Sequence, residues 1–340
     1  MISVFKDSIL QNQFEEDGFV RLPLLSPNEI SALLLGFEEL SKDRSVENTN
    51  YGMYVSLDEK NANFKRNIIE KLREILVPKL EEHLSNFKVH LGGYLVKQPE
   101  PFRYTYPHQD WTFVDLNRPE DFSSTIWISL CDLDPESGSL GFIKGSHRFM
   151  KDPVGSPSPA VKTLTQGHED ALFQYLSFPE CNSGDALIFN NKCVHAANPN
   201  SADFPRIAVG IGITPKDAPI YHYFLKPGTT DTLLKLKVEE DFFLEYTNDK
   251  LLKLYHEGQV PELCSIEDEV YLSPERFETQ DLLNEVVKAG NSSSGYKLLQ
   301  PTQSNDETQM DEENNDQRSF FQTYTPLNIY REIRHRLSKI

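Results

Sequence analysis

The chain has 340 residues, 38% of them hydrophobic and 11% aromatic, with a formal net charge of −18 at pH 7. This composition is typical of a globular protein with a sizeable core, and the negative charge argues against a nucleic-acid ligand, whose phosphates would be repelled. No segment approaches the about eighteen apolar residues of a membrane span, the first residues (MISVFKDSIL) lack a signal-peptide pattern, and the four cysteines form no C-x-x-C pair. We therefore expect a cytoplasmic protein with reduced cysteines.

The N-terminal quarter has a helical pattern interrupted by one strand. Residues 12–41 predict a short helix, a strand and a second helix, whose start is marked by Ser26-Pro27 followed by Glu29. Residues 65–86 have the spacing of another amphipathic helix. From about residue 88 the pattern changes to short alternating strands with turn signals, which is typical of a β-barrel or a β-sandwich.

Three of these strands carry large apolar side chains on one face and small or polar ones on the other, because successive side chains alternate. In TIWISLC (residues 125–131) and RIAVGIGIT (206–214), Trp127 and Arg206 lie on the face opposite the isoleucines. In DALIFNNKCVH (185–195), the face that carries His195 also carries Leu187, Phe189, Asn191 and Cys193. A barrel wall that packs on helices outside and leaves room for a small ligand inside explains both faces. A half-solvated sheet of a sandwich explains the alternation equally well.

The second half of the chain divides into segments of different composition. Residues 146–183 form a long connection with proline, serine and glycine, long enough to act as a lid. Residues 229–290 have a mostly helical pattern, and we expect them to be a helical extension of a domain formed by residues 1–228. Residues 291–317 are polar and acidic like a linker, and residues 318–340 contain a basic amphipathic helix.

The basic helix predicted at 318–340 has three alternative docking surfaces: the acidic body of the same chain, a partner protein or a membrane surface. Charge complementarity favours the body.

The stretch YTYPHQDWTF holds His108 and Asp110 one residue apart. Residues two apart on a strand point the same way, so both side chains are able to bind one ion. A mononuclear non-haem iron site needs one more histidine and keeps positions open for other ligands. His195 supplies it at the end of an extended run. Arg206 opens the next strand eleven residues later, where its planar guanidinium is suited to bidentate binding of a carboxylate.

The other histidines predict no metal site. A second H-x-D triplet, His168-Glu169-Asp170, lies in the long connection, and we expect it to be solvated. His147, in GSHR, is expected to be a structural turn residue.

The motifs resemble the phytanoyl-CoA dioxygenase family, whose members are Fe(II)- and 2-oxoglutarate-dependent oxygenases with a double-stranded β-helix. The resemblance runs from about residue 13 to about residue 228. It is carried by FEEDGFVRL, LVKQP, YPHQDW, TIWISLCDLDPESGSLGFIKGSHRF and SGDALIFNNKCVHAANPNSADFPR. It implies a mainly β protein with flanking helices and a jelly-roll (cupin-like) core, to which the predicted C-terminal helical extension is added.

The resemblance also implies roles for individual residues. His108, Asp110 and His195 would be the iron ligands and thus the catalytic centre. Arg206 would bind the distal carboxylate of 2-oxoglutarate. Two further residues match family positions near this cosubstrate: Trp127, and Lys97 on the strand before the iron motif. The chain departs from some members after the distal histidine, where Ala196 and Ala197 replace a hydroxyl residue that helps hold 2-oxoglutarate.

The expected activity is hydroxylation of a C–H bond in a small metabolite, with O2 and 2-oxoglutarate as cosubstrates and succinate and CO2 as co-products. An amino acid, a natural product and an acyl derivative are the substrate classes considered, and candidate substrate residues flank the iron motif: Arg103, Tyr104, Tyr106 and Trp111. Two alternatives stay open: an acyl-CoA hydroxylase, and an inactive binding or scaffold protein on the same fold.

Overall fold

The computed structural model describes residues 3–49, 51–118, 121–134, 136–272, 277–296 and 298, which contain helices near the two ends of this region and mostly strands between them. The helices are α1 (Ser8–Asp17), α2 (Pro27–Ser41), α3 (Ala62–His83), α4 (Glu169–Phe173), α5 (Asp241–Glu245), α6 (Asn248–His256) and α7 (Thr279–Lys288). The strands are β1 (Phe19–Pro23), β2 (Tyr54–Val55), β3 (Phe87–Lys97), β4 (Thr105–His108), β5 (Ser124–Ser129), β6 (Leu140–Phe142), β7 (Asp185–Asn190), β8 (His195–Ala197), β9 (Arg206–Pro215), β10 (Ile220–Leu225), β11 (Thr232–Val238) and β12 (Cys264–Tyr271).

Two sheets face each other across the site. The major sheet has six strands in the order β1-β7-β5-β9-β3-β2, and the minor sheet has three in the order β4-β8-β6. One apolar cluster joins them, with Trp127 and Phe189 from the major sheet and Phe142 and Ala197 from the minor sheet. These antiparallel sheets form the double-stranded β-helix core that the sequence predicted.

The other face of the major sheet packs on the N-terminal helices. Leu72, Leu76 and Leu80 recur at helical spacing along α3 and are fully buried. They share one cluster with the outward side chains of β5 and β9, among them Ile128 and Val209. The division of these strands into a helix-packed face and an inward face is therefore confirmed, and it leaves the smaller residues to line the interior.

The segment 229–290 is only partly helical, which corrects the expectation of a helical extension. It contributes β11 and β12 besides α5, α6 and α7. The run TLLKLKV is compatible with both a helix and a strand. Ile220–Leu225 pairs antiparallel with Thr232–Val238, and this pairing makes the run a strand. The domain boundary at residue 228 stays a prediction, although this strand pair spans it.

Leu236→Ala is expected to destabilise the protein by about 2–5 kcal/mol, because Leu236 is fully buried in a cluster with Phe113 and Phe242. Denaturant unfolding measures the loss. Leu35→Ala is the control, since Leu35 is 48% exposed on α2 and its loss should cost under about 0.5 kcal/mol. Equal effects would mean that β11 is not part of the packed body.

The predicted basic helix at 318–340, and residues 299–317 of the predicted linker, lie outside the described residues. The first linker residues do pack on the body: Ser294 Oγ donates to the backbone oxygen of Gln174 (2.8 Å), and the hydroxyls of Tyr296 and Tyr104 are 3.0 Å apart. No helix in the described ranges is both long and apolar enough to span a bilayer.

Candidate metal centre and its cavity

Two histidine rings meet between strands β4 and β8. His108 and His195 are register partners in the minor sheet, and their ring centroids are 4.2 Å apart. Nδ1 of each ring contacts a backbone oxygen two residues away. His108 Nδ1 lies 2.8 Å from the oxygen of Tyr106, and His195 Nδ1 lies 3.0 Å from the oxygen of Cys193. These contacts orient the rings and leave both Nε2 atoms available to a metal.

Asp110 completes the group, although it lies two residues beyond the end of β4. Its backbone N–H donates to the backbone oxygen of Asn191 (3.0 Å), and its Oδ1 lies 3.6 Å from Nε2 of His195. One possible ligand atom from each of His108, Asp110 and His195 lies within 4.8 Å of the other two. The prediction that these three side chains converge is thus met by the geometry.

The second carboxylate oxygen of Asp110 is held by two polar side chains. Thr125 Oγ1 donates to Oδ2 at 2.6 Å and Asn191 Nδ2 at 3.1 Å. Asn191 is in turn fixed by Ser123, whose hydroxyl donates to its Oδ1 at 2.6 Å. Strand alternation puts Thr125 on the same face as Trp127 and Asn191 on the same face as His195, but only the fold shows that both side chains hold Asp110.

The three side chains fit a divalent transition metal. Burial, aided by the neighbouring His108, lowers the pKa of His195 to about 4, so its ring is neutral at pH 7 and binds a metal without releasing a proton. Two imidazole nitrogens and one carboxylate oxygen form the donor set of mononuclear non-haem iron sites.

Thr125→Val is expected to lower metal affinity by about 10–100-fold, because it removes a hydrogen bond that orients Asp110 while keeping the side-chain shape. Calorimetric titration with Mn(II) measures the change. Thr214→Val is the matched control: Thr214 is fully buried on β9, and its hydroxyl has no hydrogen-bond partner within the described part of the chain. Unchanged affinity in Thr125→Val would contradict the role of this hydrogen bond.

Arg206 is the most unusual charged residue of the interior. It is 1% exposed, its Nη1 donates to the backbone oxygen of Gly138 (3.2 Å), and its Nε has no hydrogen-bond partner among the described atoms. No carboxylate in the described ranges pairs with it, and burial lowers its pKa to about 10. An uncompensated buried guanidinium is costly unless a ligand supplies the anion.

Trp127 and Lys97 flank this arginine. The Arg206 guanidinium carbon lies 5.2 Å from the Trp127 ring centroid, within the range of a cation–π contact. Lys97 is the register partner of Arg206 and is fully buried, with Nζ donating to Thr105 Oγ1 at 3.0 Å. Burial lowers the pKa of Lys97 well below its usual value, and the charge of Arg206 adds to the effect.

The ligand triad and Arg206 open into one cavity of about 330 Å³. Its walls come from the major sheet, the iron-motif loop and the segment after β11. Most of the lining is apolar: Met53, Val55, Leu57, Leu91, Leu95, Trp111, Phe113, Trp127, Leu140, Phe189, Ala197, Ile211 and Phe243. Its volume and its few convergent polar groups are those of a small-molecule site.

The four predicted substrate residues lie in different places. Trp111 lines the cavity, and the other three are not among its described lining residues. Tyr104 is buried against Phe173 (centroids 5.3 Å apart), Tyr106 is 49% exposed, and Arg103 donates to Glu100 at 2.9 Å. Simple strand alternation would point Tyr104 and Tyr106 the same way as His108. The register of β4 against β8 shifts between Thr105 and His108, so that Thr105 and His108 line the cavity and the two tyrosines do not.

The two histidines that the sequence analysis excluded, His168 and His147, lie outside the group formed by His108, Asp110 and His195. His168 lies at the start of α4, with Nδ1 2.9 Å from Thr279 Oγ1. His147 is partly buried, with Nε2 3.1 Å from the backbone oxygen of Glu15, as expected of a structural residue. Ala196 and Ala197 are fully buried on β8. They follow His195, where some family members carry a hydroxyl residue, and they supply no hydroxyl there.

Comparison with known proteins identifies relatives over the same region. The phytanoyl-CoA dioxygenase family model matches residues 14–208, more than half of the chain. The phytanoyl-CoA dioxygenase domain-containing protein 1 of Danio rerio is 31% identical over 120 residues, which are 33% of this chain and 40% of the relative. The Caenorhabditis briggsae homologue is 28% identical over 133 residues, 36% and 45% of the two chains. The chain thus matches less than half the length of each relative.

Among solved structures, the chain is similar to the non-haem α-ketoglutarate-dependent carbocyclase SnoK from nogalamycin biosynthesis, with 22% identity and a TM-score of 0.48 over 63% of this chain and 86% of that one. It is also similar to EvdO2 from Micromonospora carbonacea complexed with 2-oxoglutarate, with 18% identity and a TM-score of 0.43 over 62% and 91%. By the extent of the family match, this chain belongs to the phytanoyl-CoA dioxygenase family.

Proposed function

We propose that this chain is an Fe(II)/2-oxoglutarate-dependent oxygenase that hydroxylates a C–H bond of a small metabolite. The observation that carries the proposal is that two features meet in one cavity: a triad of two histidines and an aspartate, and a buried arginine with which no described carboxylate pairs. The donor atoms of the triad are those of an iron site, and the buried guanidinium is stabilised if a ligand supplies a carboxylate.

His108, Asp110 and His195 would hold the iron and leave positions open for other ligands. Bound Fe(II) supplies the activation of O2 that is coupled to decarboxylation of 2-oxoglutarate to succinate and CO2. Asp110 contributes one negative charge at the metal, and the hydrogen bonds from Thr125 and Asn191 keep its free oxygen directed there.

Arg206 would bind the distal carboxylate of 2-oxoglutarate through paired N–H donors. Trp127 packs beside that position, and the apolar side chains around it, including Leu140 and Phe189, exclude water from the cosubstrate. The salt bridge would compensate the buried charge of Arg206, so that cosubstrate binding also stabilises the folded protein.

The lining favours a small substrate over an acyl-CoA. Coenzyme A carries several phosphate charges, and Arg206 is the only lysine or arginine among the described lining residues. That arginine is already assigned to 2-oxoglutarate. The scaffold alternative gains no support from the site, because all three ligand side chains and their orienting hydrogen bonds are in place.

Anaerobic addition of Fe(II) to the protein with 2-oxoglutarate is expected to produce a visible metal-to-ligand charge-transfer band. His195→Ala should abolish the band, because it removes a ligand. His168→Ala should retain it, because His168 lies outside the centre. The proposal would be refuted by a folded wild-type protein that binds iron and 2-oxoglutarate but shows no band. If the band is present, succinate release in substrate screens would then identify compounds that the protein oxidises.

A further inference from the structure

Besides Arg206 and Asp110, the cavity has a third charged residue at its wall. Asp58 ends a 3-10 turn (Ser56–Asp58) and is a lining residue. Its side chain is exposed to solvent, and the neighbouring protein raises its pKa to about 6, first by desolvation and then through the charge of Asp249. Because Asp58 is exposed and also lines the cavity, it lies where the cavity meets solvent.

The Asp58 carboxylate has no hydrogen-bond or ion-pair partner in the described ranges. The cation that acts on it, Lys65, also has a lowered pKa because of burial, and its Nζ lies 3.5 Å from the backbone oxygen of Phe243. Asp249 is close enough to add negative potential. Asp58 and Asp249 carry two negative charges against the one positive charge of Lys65, so the wall around Asp58 favours a further positive charge.

Arg206 shows that the cavity suits a polar ligand, since it is 1% exposed and its Nε has no hydrogen-bond partner among the described atoms. The cosubstrate proposed above accounts for Arg206 and the triad but leaves Asp58 unused. Aromatic side chains belong to the same lining, including Trp111, Phe113 and Tyr246. They supply apolar and π surface that binds the body of a ligand whose end is cationic.

We infer that the substrate is a small molecule with a protonated amine, which Asp58 binds while an apolar portion packs on Trp111 and Phe113. This inference rests on the proposed function, because it assigns the substrate class of the same cavity. Arg206 would hold the anionic cosubstrate and Asp58 the cationic substrate, so that opposite charges in one cavity separate the two ligands.

Intrinsic fluorescence gives a direct test. The chain has two tryptophans, Trp111 and Trp127, and both line the cavity. The probes are 2-phenylethylamine, 2-phenylethanol and 3-phenylpropanoate, which share an aromatic body and differ in charge, titrated into protein with 2-oxoglutarate. We expect the amine to bind at least about tenfold more tightly than the alcohol, and the carboxylate to bind most weakly.

Variants separate charge from shape. Asp58→Asn should remove the amine preference, and Asp58→Glu should restore part of it. Asp217→Asn, at an exposed aspartate outside the lining, should leave the preference unchanged. Equal binding of the amine and the alcohol, no quenching by the amine, or an unchanged preference in Asp58→Asn would overturn the inference.

The test also distinguishes failure of this inference from failure of the proposed function. Asp58 is not a predicted metal ligand, so Asp58→Asn should keep the charge-transfer band with Fe(II) and 2-oxoglutarate. A band without amine preference refutes the cationic substrate alone. Amine preference without a band supports the Asp58 site and refutes the oxygenase assignment.

Discussion

Arg206→Met should weaken 2-oxoglutarate binding by about 2–5 kcal/mol, a factor of about 30 to several thousand. The guanidinium lies in a dry wall beside Trp127, where no water replaces its paired donors. Isothermal titration of 2-oxoglutarate into protein loaded with Mn(II) measures the loss. Arg206→Lys keeps the charge without the fork geometry and should recover only part of the affinity.

The same variant should reveal the cost of the buried charge. Without 2-oxoglutarate, Arg206→Met is expected to be as stable as the wild type or more stable, by up to about 4 kcal/mol, because an unpaired buried cation is removed. Saturating 2-oxoglutarate should raise the Tm of the wild type and not that of the variant. Arg44→Met, at a partly exposed arginine paired with Glu59, is the control and should keep the cosubstrate effect. A large loss of stability in cosubstrate-free Arg206→Met would show that the arginine is structural.

Asp110→Asn should reduce metal affinity and stop succinate formation. The loss of affinity should exceed the about 10–100-fold that follows from removing a hydrogen bond to a metal ligand. The change keeps the size of the side chain but removes the charge that balances the metal. It also brings an amide against the donors of Thr125 and Asn191, which now point at a carboxylate oxygen. Mn(II) binding followed by electron paramagnetic resonance measures the affinity.

The second H-x-D triplet provides the matched control for Asp110. Asp170→Asn makes the same chemical change on α4, away from the two histidines of the centre. It should leave metal binding and succinate formation unchanged. Loss of Mn(II) affinity in Asp170→Asn, or wild-type affinity in Asp110→Asn, would place the metal elsewhere.

Local patterns in the sequence predicted much of the centre. The H-x-D spacing, the distant histidine and the arginine eleven residues later name four residues that the fold brings into one cavity: His108, Asp110, His195 and Arg206. Strand alternation also placed Trp127 inward, since the direction of a side chain follows from its position along a strand. Family resemblance assigned the metal, which no spacing alone establishes.

Other parts of the site depend on contacts between distant segments. Asp58 and Asn248 line the same cavity although 190 positions separate them, and neither belongs to a motif. Residues 232–238 have a pattern compatible with a helix or a strand, and the neighbouring β10 decides for a strand. Tyr104 lies beside the iron motif in sequence and faces another cluster.

The sequence by itself predicted the inward strand faces, because these follow from the two-residue period of a strand, and its motifs indicated the family and the expected metal ligands through their resemblance to known members. Only the tertiary structure decided which groups orient Asp110, that Asp58 lines the same cavity and that no carboxylate in the described part of the chain pairs with Arg206. Those properties depend on burial and on distances between segments far apart in the chain, and no local pattern contains them.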